Sequence, residues 1–221
     1  MTAIRPFDPA DLEACYAISL ATGFEGGDAA HLYRDPKLMG HIYVAPYVLL
    51  EPSLALVVED SDGVAGFAVG TANTVAWEAR LDRDWWPSLR DRYADPADVP
   101  EADRTPDQRR AFMIHHPAKT PAAIVAAYPA HLHMNLLPRL QRRGIGARLL
   151  GIWVERVGAG NVHVGVNRAN GGAARFWAAQ GFGEMTLGQP GGRTLWLGRA
   201  CSATTRKPLS HAAFSASIQN K

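Results

Sequence analysis

The chain has 221 residues with a formal net charge of +2, and 47% of its residues are hydrophobic. This length and composition predict one domain, or one domain with a large insertion. So small a net charge argues against nucleic acids or membrane surfaces as partners. Two widely separated cysteines, Cys15 and Cys201, exclude a disulfide framework, and the N-terminus lacks an apolar signal core, so we expect a cytoplasmic protein. The longest apolar stretch, near Tyr47, is broken by Glu51 and Pro52, so no membrane span is expected.

The hydrophobic periodicity predicts strands and helices along the whole chain. In the first part the predicted elements are a strand at 3–6, a helix that begins at Asp8-Pro9 and breaks at 23–27, a helical region at 28–50 interrupted at Pro36 and Pro46, and a hairpin of strands 54–59 and 64–71. In the second part they are a central strand at 130–137, a helix, a strand at 161–166, a helix ending at Gln180, and a hairpin of strands 184–187 and 194–198 around Pro190-Gly191-Gly192.

Residues 74–129 separate the two parts and are rich in aromatic residues and histidine. Helices are predicted at 77–93 and 105–114, on either side of a loop at 95–106. The chain ends in a polar tail, residues 201–221, to which no function is attached.

The segment Gln141-Arg142-Arg143-Gly144-Ile145-Gly146 joins the central strand to the next helix. Successive N–H groups converge in such a turn, and the helix N-terminus adds partial positive charge, so the segment is predicted to bind an anion. Gly144 and Gly146 lack a Cβ atom, which lets a phosphate approach the main chain. A Walker loop would need a Lys-Ser or Lys-Thr pair here, and Leu149 occupies the place of the third Rossmann glycine.

What remains is Q-x-x-G-x-G after a strand, with Pro138 before it, and this resembles the acyl-CoA pyrophosphate loop of the GNAT acetyltransferase superfamily. Downstream, residues 170–182 resemble the family segment N-x-x-A-x-x-F-Y-x-x-x-G-F; on their own they predict a helix capped by Asn170 and ended by Gly181. The order of elements resembles the GNAT fold over residues 1–200. This implies an α/β (α+β) fold, in which helices flank a central mixed, mostly antiparallel sheet and 74–129 form a helical insertion between strands three and four.

Shorter cues resemble the acetyltransferase-like C-terminal domain of animal O-GlcNAc hydrolases. They are Phe67-Ala68-Val69-Gly70-Thr71, Trp85-Trp86-Pro87, Arg92-Tyr93 and Tyr128-Pro129. The animal domain has a degenerate phosphate loop, whereas both glycines are present here, which implies a stand-alone bacterial-type relative with an intact cofactor site. For the insertion two interpretations stay open: an elaboration that buries its tryptophans, or a lid or wall that shapes the acceptor site.

The resemblance implies acetyl-CoA as the cofactor and an unidentified small or peptidic amine as the acceptor, with no metal. The pyrophosphate is expected on the backbone N–H groups of residues 142–147, where Arg139, Arg142 and Arg143 either add charge or form a solvated basic edge. The pantetheine arm is expected along the strand edge, and a backbone N–H near Leu136 or Leu137 is expected to polarise the acetyl carbonyl. The expected cofactor-binding residues are Leu136, Leu137, Gln141, Arg142, Arg143, Gly144, Ile145, Gly146, Ala147, Asn170, Phe176 and Trp177.

The general base is less well defined. Relatives often carry Glu or His at positions that correspond to Ala130 and Leu132, and both are apolar here. His131 and His133 are one residue away, so a regular strand turns them to the other face, together with Asn135, whereas a bulge would restore them. Asn135 is not a base but is expected to orient an amine or a water. With Glu59, which ends the second strand, the candidate catalytic residues are His133, His131, Asn135 and Glu59.

Two functions stay open. The first is an N-acetyltransferase that uses acetyl-CoA, and the second is a catalytically weak pseudo-acetyltransferase that acts as an acetyl-CoA-binding module. Trp177 occupies the place of the usual tyrosine, and an indole N–H donates a hydrogen bond but delivers no proton. That substitution and the missing base favour the second function, while the aromatic insertion favours the first. A nucleotide-phosphate enzyme would need a catalytic lysine or metal-binding carboxylates near the loop, and none is evident in the sequence.

Overall fold

A computed structural model of the protein describes residues 2–158, 160–185 and 192–200. Its strands are β1 (Ala3–Pro6), β2 (Leu56–Asp60), β3 (Gly63–Thr71), β4 (Ala130–Leu136), β5 (Val162–Asn167), β6 (Gly183–Glu184) and β7 (Thr194–Arg199). Its α-helices are α1 (Leu12–Ala21), α2 (Leu38–Tyr43), α3 (Ala45–Leu50), α4 (Thr74–Asp84), α5 (Trp86–Arg92), α6 (Pro106–His115), α7 (Ala122–Ala127), α8 (Ile145–Val157) and α9 (Gly171–Ala179).

The helices begin where short polar side chains replace the missing backbone partners of the first turn. Asn73 caps α4 by accepting from the Ala76 N–H, and Asn170 caps α9 by accepting from the Ala173 N–H. Thr105 and Gln108 form a reciprocal capping box at the start of α6. These signals are local in sequence, and they agree with the predicted starts of α6 and α9, whereas α4 begins at Thr74 and not at the predicted Trp77.

The strands form one sheet in the order β1-β2-β3-β4-β5-β7-β6. Neighbouring strands run antiparallel except β4 and β5, which are parallel. The predicted mixed, mostly antiparallel sheet flanked by helices is therefore confirmed.

The sheet separates two apolar clusters. One face packs against α8 and α9, where Leu149, Trp153 and Trp177 meet the inward residues of β4 and β5. The other face packs against α1–α3 and the insertion, and Trp77 and Ile114 of the insertion are buried with Phe67 and Val69 of β3. The insertion thus completes the second half of the core, which agrees with the structural interpretation of residues 74–129.

The element predictions hold with a few corrections. The helical region predicted at 28–50 is α-helical only from Leu38, because residues 28–37 contain just a short 3-10 helix at Ala30–Leu32. The predicted helix at 77–93 is wrong as one element, because it breaks at Trp85 into α4 and α5. Pro87 lies in the first turn of α5, and a proline deeper inside a helix would remove a backbone donor and clash with the preceding turn. Helix α7 was not predicted. The tail 201–221, the last two residues of the predicted strand 184–187 and the turn residues 190–191 lie outside the described residues.

Candidate active site

The loop between β4 and α8 has an unusual backbone. Arg142 and Gly144 both have positive φ angles, 58° and 74°, in the left-handed region. A left-handed conformation costs a residue with a side chain about 1 kcal/mol or more and persists where the surroundings hold it. Gln141 helps to hold the loop, because its side-chain Nε2 donates to the Leu136 carbonyl over 2.8 Å. Left-handed residues within a turn direct successive N–H groups into one concave anion-binding surface.

The N–H groups of this loop are available to a ligand. The first N–H near the start of α8 that meets a carbonyl is that of Arg148, which donates to Gly144 over 3.2 Å. Within the described part of the chain, the N–H groups of residues 142–147 have no hydrogen-bond acceptor. They lie at the positive end of the helix dipole, so the loop meets the requirements of a phosphate cradle.

The two loop glycines have different roles. A Cβ atom added at Gly144 would meet nothing within 4 Å, so the positive φ, and not space, is what favours glycine there. A Cβ added at Gly146 would lie 3.0 Å from the Phe176 ring, so Gly146 lets α8 pack closely against α9. Gly144 is therefore favoured by its backbone conformation, and Gly146 is favoured by the close packing of α8 against α9.

The arginine side chains near the loop differ in whether they are paired with a carboxylate. Arg139 is paired with Asp60 at the end of β2, with an N···O distance of 2.9 Å, and this pair raises the pKa of the arginine and lowers that of the aspartate. Arg142, Arg143 and Arg148 are exposed around the loop. Their charges therefore surround the free N–H groups, while that of Arg139 is already neutralised.

Beside this loop, β4 and β5 separate. They are paired only at Ala130 with Val162 and His131 with His163, whereas β3 pairs with β4 as far as Leu136. The far half of β4 therefore has a backbone edge with no strand beside it in the described part of the chain.

Two backbone donors face this open edge. The Leu137 N–H donates to the Ala65 carbonyl on the β3 side, so of the two expected polarising donors this one is already engaged. Because strand N–H groups alternate in direction, those of Met134 and Leu136 point into the gap between β4 and β5.

The register of β4 answers whether the strand is bulged. It pairs with β3 residue by residue from Thr71–His131 to Gly66–Leu136, with no irregularity. Ala130 and Leu132 are consequently buried in the cluster under α8, and His131, His133 and Asn135 all face the α1–α3 side.

His131 is enclosed in a hydrogen-bond chain. Its Nε2 lies 2.7 Å from the Tyr47 hydroxyl, and its Nδ1 lies 2.7 Å from the Thr74 hydroxyl. Because the Thr74 hydroxyl donates to the Pro129 carbonyl, it accepts from Nδ1–H, which leaves Nε2 to accept from Tyr47. Burial and the neighbouring histidines hold the pKa of His131 well below its usual value. Both ring nitrogens are engaged, so none is left for an amine proton.

His133 is half-buried like His131, but its ring nitrogens are not engaged by other side chains in the described part of the chain. Its ring contacts the edges of Tyr43 and Tyr47, with centroid distances of 5.7 Å and 5.3 Å. No hydrogen bond to its ring nitrogens occurs within the described residues. Burial lowers the pKa of His133 to about 4, so the ring is neutral at pH 7 and is a weak base.

The other two catalytic candidates differ in position. Asn135 joins the histidine face and donates from Nδ2 to the Thr22 hydroxyl over 2.7 Å, which ties β4 to the end of α1. Glu59 lies two strands away on β2, where it pairs with Arg5 over 2.8 Å. The structure therefore brings together His131, His133 and Asn135, and it separates Glu59 from them.

Trp177 belongs to the core. It is 6% exposed and packs edge-on against Phe182 and Phe176, with centroid distances of 4.9 Å and 5.1 Å. Phe176 is half-buried and lies over Gly146 at the start of α8. Phe176 therefore borders the loop, whereas Trp177 packs in the core.

Sequence reasoning missed the aromatic wall of this face. Tyr43 and Tyr47 come from α2 and α3, and Arg110 of α6 contacts Tyr43 over 2.9 Å. No motif marks these residues, because they converge only through the packing of α2, α3 and the insertion on the sheet. The only related indication in the sequence is the interpretation of residues 74–129 as a lid or wall that shapes the acceptor site.

Comparisons with known proteins give three findings. No protein-family model matches the chain. The curated protein O-GlcNAcase of Rattus norvegicus is 25% identical over 136 residues, which are 60% of this chain and only 14% of that relative. The crystal structure of SsHAT is 37% identical with a TM-score of 0.81, and the match covers 90% of this chain and 97% of that one.

A more distant structure shares the fold. A GNAT superfamily phosphinothricin acetyltransferase from Sinorhizobium meliloti, solved in complex with AcCoA, is 15% identical with a TM-score of 0.51. The match covers 97% of this chain and 96% of that one. Among the described residues, no helix is both long and apolar enough to cross a membrane.

Proposed function

Because the chain belongs to the GNAT acetyltransferase superfamily, as its Q-x-x-G-x-G motif predicted, we propose that it binds acetyl-CoA and transfers the acetyl group to an amine. The observation that carries the proposal is the loop of residues 141–147, whose free N–H groups lie beside the open edge of β4. An anion cradle next to an unpaired strand edge suits a ligand that has a pyrophosphate at one end and an amide-bearing arm.

The residues present fit such a ligand. The N–H groups of residues 142–147 hold the pyrophosphate, and the exposed Arg142 and Arg143 add charge. The N–H groups of Met134 and Leu136 pair with the pantetheine amides along the edge of β4. Asn170, which caps α9, and Phe176, whose ring lies beside Gly146 at the start of α8, line the opposite side of the arm.

When bound, acetyl-CoA supplies a thioester whose carbonyl carbon is open to attack by an amine. The protein's part is then to orient the reacting groups and to stabilise the charge that develops on the carbonyl oxygen. A backbone N–H at the open edge of β4, from Met134 or Leu136, serves the second purpose, because that of Leu137 is engaged by Ala65.

His133 orients the amine in this proposal. A neutral imidazole accepts a hydrogen bond from an incoming N–H, but with a pKa of about 4 it holds a proton poorly at pH 7. Water therefore takes the proton of the amine. His131 fixes Tyr47, and Trp177 supplies no proton, because a thiol with a pKa near about 8.5 leaves as a thiolate without acid help.

A second candidate is the acetyl-CoA-binding module with weak catalysis. The weak basicity of His133 and the engagement of His131 favour it. The two candidates share the cofactor site and differ only in turnover. Under both candidate functions the protein is proposed to be cytoplasmic.

Two measurements test these candidates. Calorimetric titration with acetyl-CoA tests the shared site, and absence of binding would reject both functions. Release of the CoA thiol is then followed with a panel of primary amines at pH 7 and pH 9. Turnover above the rate without protein supports the transferase, whereas tight binding without amine-dependent release supports the binding module.

A further inference from the structure

A group of hydrogen-bond donors lies on the insertion side of Tyr43. The Arg110 guanidinium donates from Nε to the Tyr33 hydroxyl over 3.0 Å and from Nη1 to the Tyr43 hydroxyl over 2.9 Å. Its Nη1 also lies 3.3 Å from the Met113 sulfur, which is a weak acceptor. Arg110, Tyr33 and Tyr43 are all half-buried, so they are packed together and still reachable from solvent.

This donor group lacks an acceptor of matching strength. Among residues 2–158, 160–185 and 192–200, no carboxylate pairs with Arg110, and the two N–H groups of its Nη2 have no acceptor in the protein. The Tyr33 hydroxyl accepts from Arg110, and its own hydrogen has no acceptor in the same ranges. A partly desolvated cation that meets only neutral groups is costly, so the arrangement is complementary to an anion.

The donor group adjoins the face that carries His133. The Tyr43 ring contacts Arg110 through its hydroxyl and meets His133 edge-on, with ring centroids 5.7 Å apart. One tyrosine ring therefore separates the unpaired guanidinium from the neutral imidazole. A ligand that lay along this ring would have the Arg110 guanidinium near one end and the His133 imidazole near the other.

We infer that the acceptor is an amine that also carries a carboxylate, with the carboxylate held by Arg110 and Tyr33 and the amine directed to His133. This inference rests on the proposed function and narrows its substrate class. A single guanidinium with neutral tyrosines matches the single charge of a carboxylate, which takes two or three hydrogen bonds from such donors.

The test uses a series of ω-amino acids from glycine to 6-aminohexanoate, each compared with its own amide. Binding is measured by calorimetry on the protein in the presence of CoA, so no acetyl transfer is needed. We expect at least one acid to bind at least tenfold more tightly than its amide, and the chain length of that acid measures the span from Arg110 to His133. Equal affinities for every acid and amide, or no binding of any acid, would overturn the inference.

Variants assign the effect to the donor group. Arg110→Met should abolish the preference for the acid, whereas Arg109→Met, which removes an exposed charge from the same helix, should leave it intact. Tyr33→Phe removes one donor with little change in shape and should reduce the preference at least threefold, which keeps the test decisive if Arg110→Met unfolds. A preference that survives both Arg110→Met and Tyr33→Phe would refute the assignment.

The two proposals fail in different ways. If acetyl-CoA binds and amines are acetylated without any preference for the acids, the carboxylate inference is rejected and the proposed function stands. If the acids bind as expected but no CoA thiol is released, the carboxylate site at Arg110 and Tyr33 stands, and the transferase, with the acceptor role of its ligand, is rejected.

Discussion

Replacing Gly144 by alanine separates backbone conformation from steric space in the loop. Gly144 has φ +74° and ψ −5°, and an added Cβ atom would meet nothing within 4 Å. The substitution therefore acts only through the left-handed conformation, which costs an L-residue about 1–2 kcal/mol. Because the loop is exposed, we expect it to relieve this strain by relaxing when no ligand is bound.

When the loop relaxes, the cost of the left-handed conformation at residue 144 no longer lowers the stability of the fold and instead weakens ligand binding. The loop must return to the left-handed conformation to direct its N–H groups at a pyrophosphate, so the strain is subtracted from the binding free energy. A loss of about 1.4 kcal/mol corresponds to a tenfold rise in Kd. Calorimetry with acetyl-CoA should therefore show affinity that is about tenfold weaker in Gly144→Ala.

Two variants control for other effects. Gly144→Asn should stay within about threefold of the original Kd, since asparagine tolerates the left-handed region. Gly151→Ala makes the same chemical change in the middle of α8, where an added Cβ also meets nothing within 4 Å. It should leave Kd unchanged and raise stability by about 0.5–1 kcal/mol. Unchanged affinity in Gly144→Ala would refute the role given to this loop.

Three further predictions concern the buried aromatic and histidine residues. Trp177→Phe should lower the free energy of unfolding by about 2 kcal/mol, because the indole ring fills the core. The same variant should keep kcat within threefold of the original value. A hundredfold loss of kcat with unchanged acetyl-CoA affinity would show that the indole is catalytic. The rate of acetyl transfer should rise with pH through neutrality until the amine itself titrates, because the pKa of His133 is about 4; a plateau near pH 7 that disappears in His133→Ala would contradict this. Since the pKa values of His131 and His133 are lowered in the folded protein, protonation favours the unfolded chain, so stability should be full above about pH 6.5 and should fall as the pH drops through 4. The shift of His133 alone corresponds to about 3 kcal/mol, so urea titrations between pH 4 and pH 7 should show a shallower slope in His133→Gln, which retains the contribution of His131.

The cofactor loop was predictable because its signals are local. Strand, glycine turn and helix lie within a few residues of one another, so the sequence shows them directly. The left-handed conformation of Gly144 was not predicted, because the sequence suggested only that a phosphate could approach a residue without a Cβ atom. The strain at Arg142 was not predicted, since an arginine carries no sign of positive φ in the sequence. The capping residues Asn73, Thr105 and Asn170 set helix starts by the same short-range logic.

The orientation of the candidate catalytic histidines could be decided only from the tertiary structure. Sequence placed His131 and His133 on one face of β4 but left open whether a bulge would turn them, and only the unbroken register against β3 settles that the strand is regular.

The sequence by itself determined the elements, their order and the anion-binding turn, because these rest on periodicity and short-range hydrogen bonds. The tertiary structure decided which histidine is enclosed, where β4 loses its partner, and that Arg110 meets Tyr43 across 67 positions of sequence. Contacts of that kind arise from the packing of separate elements, and no local pattern encodes them.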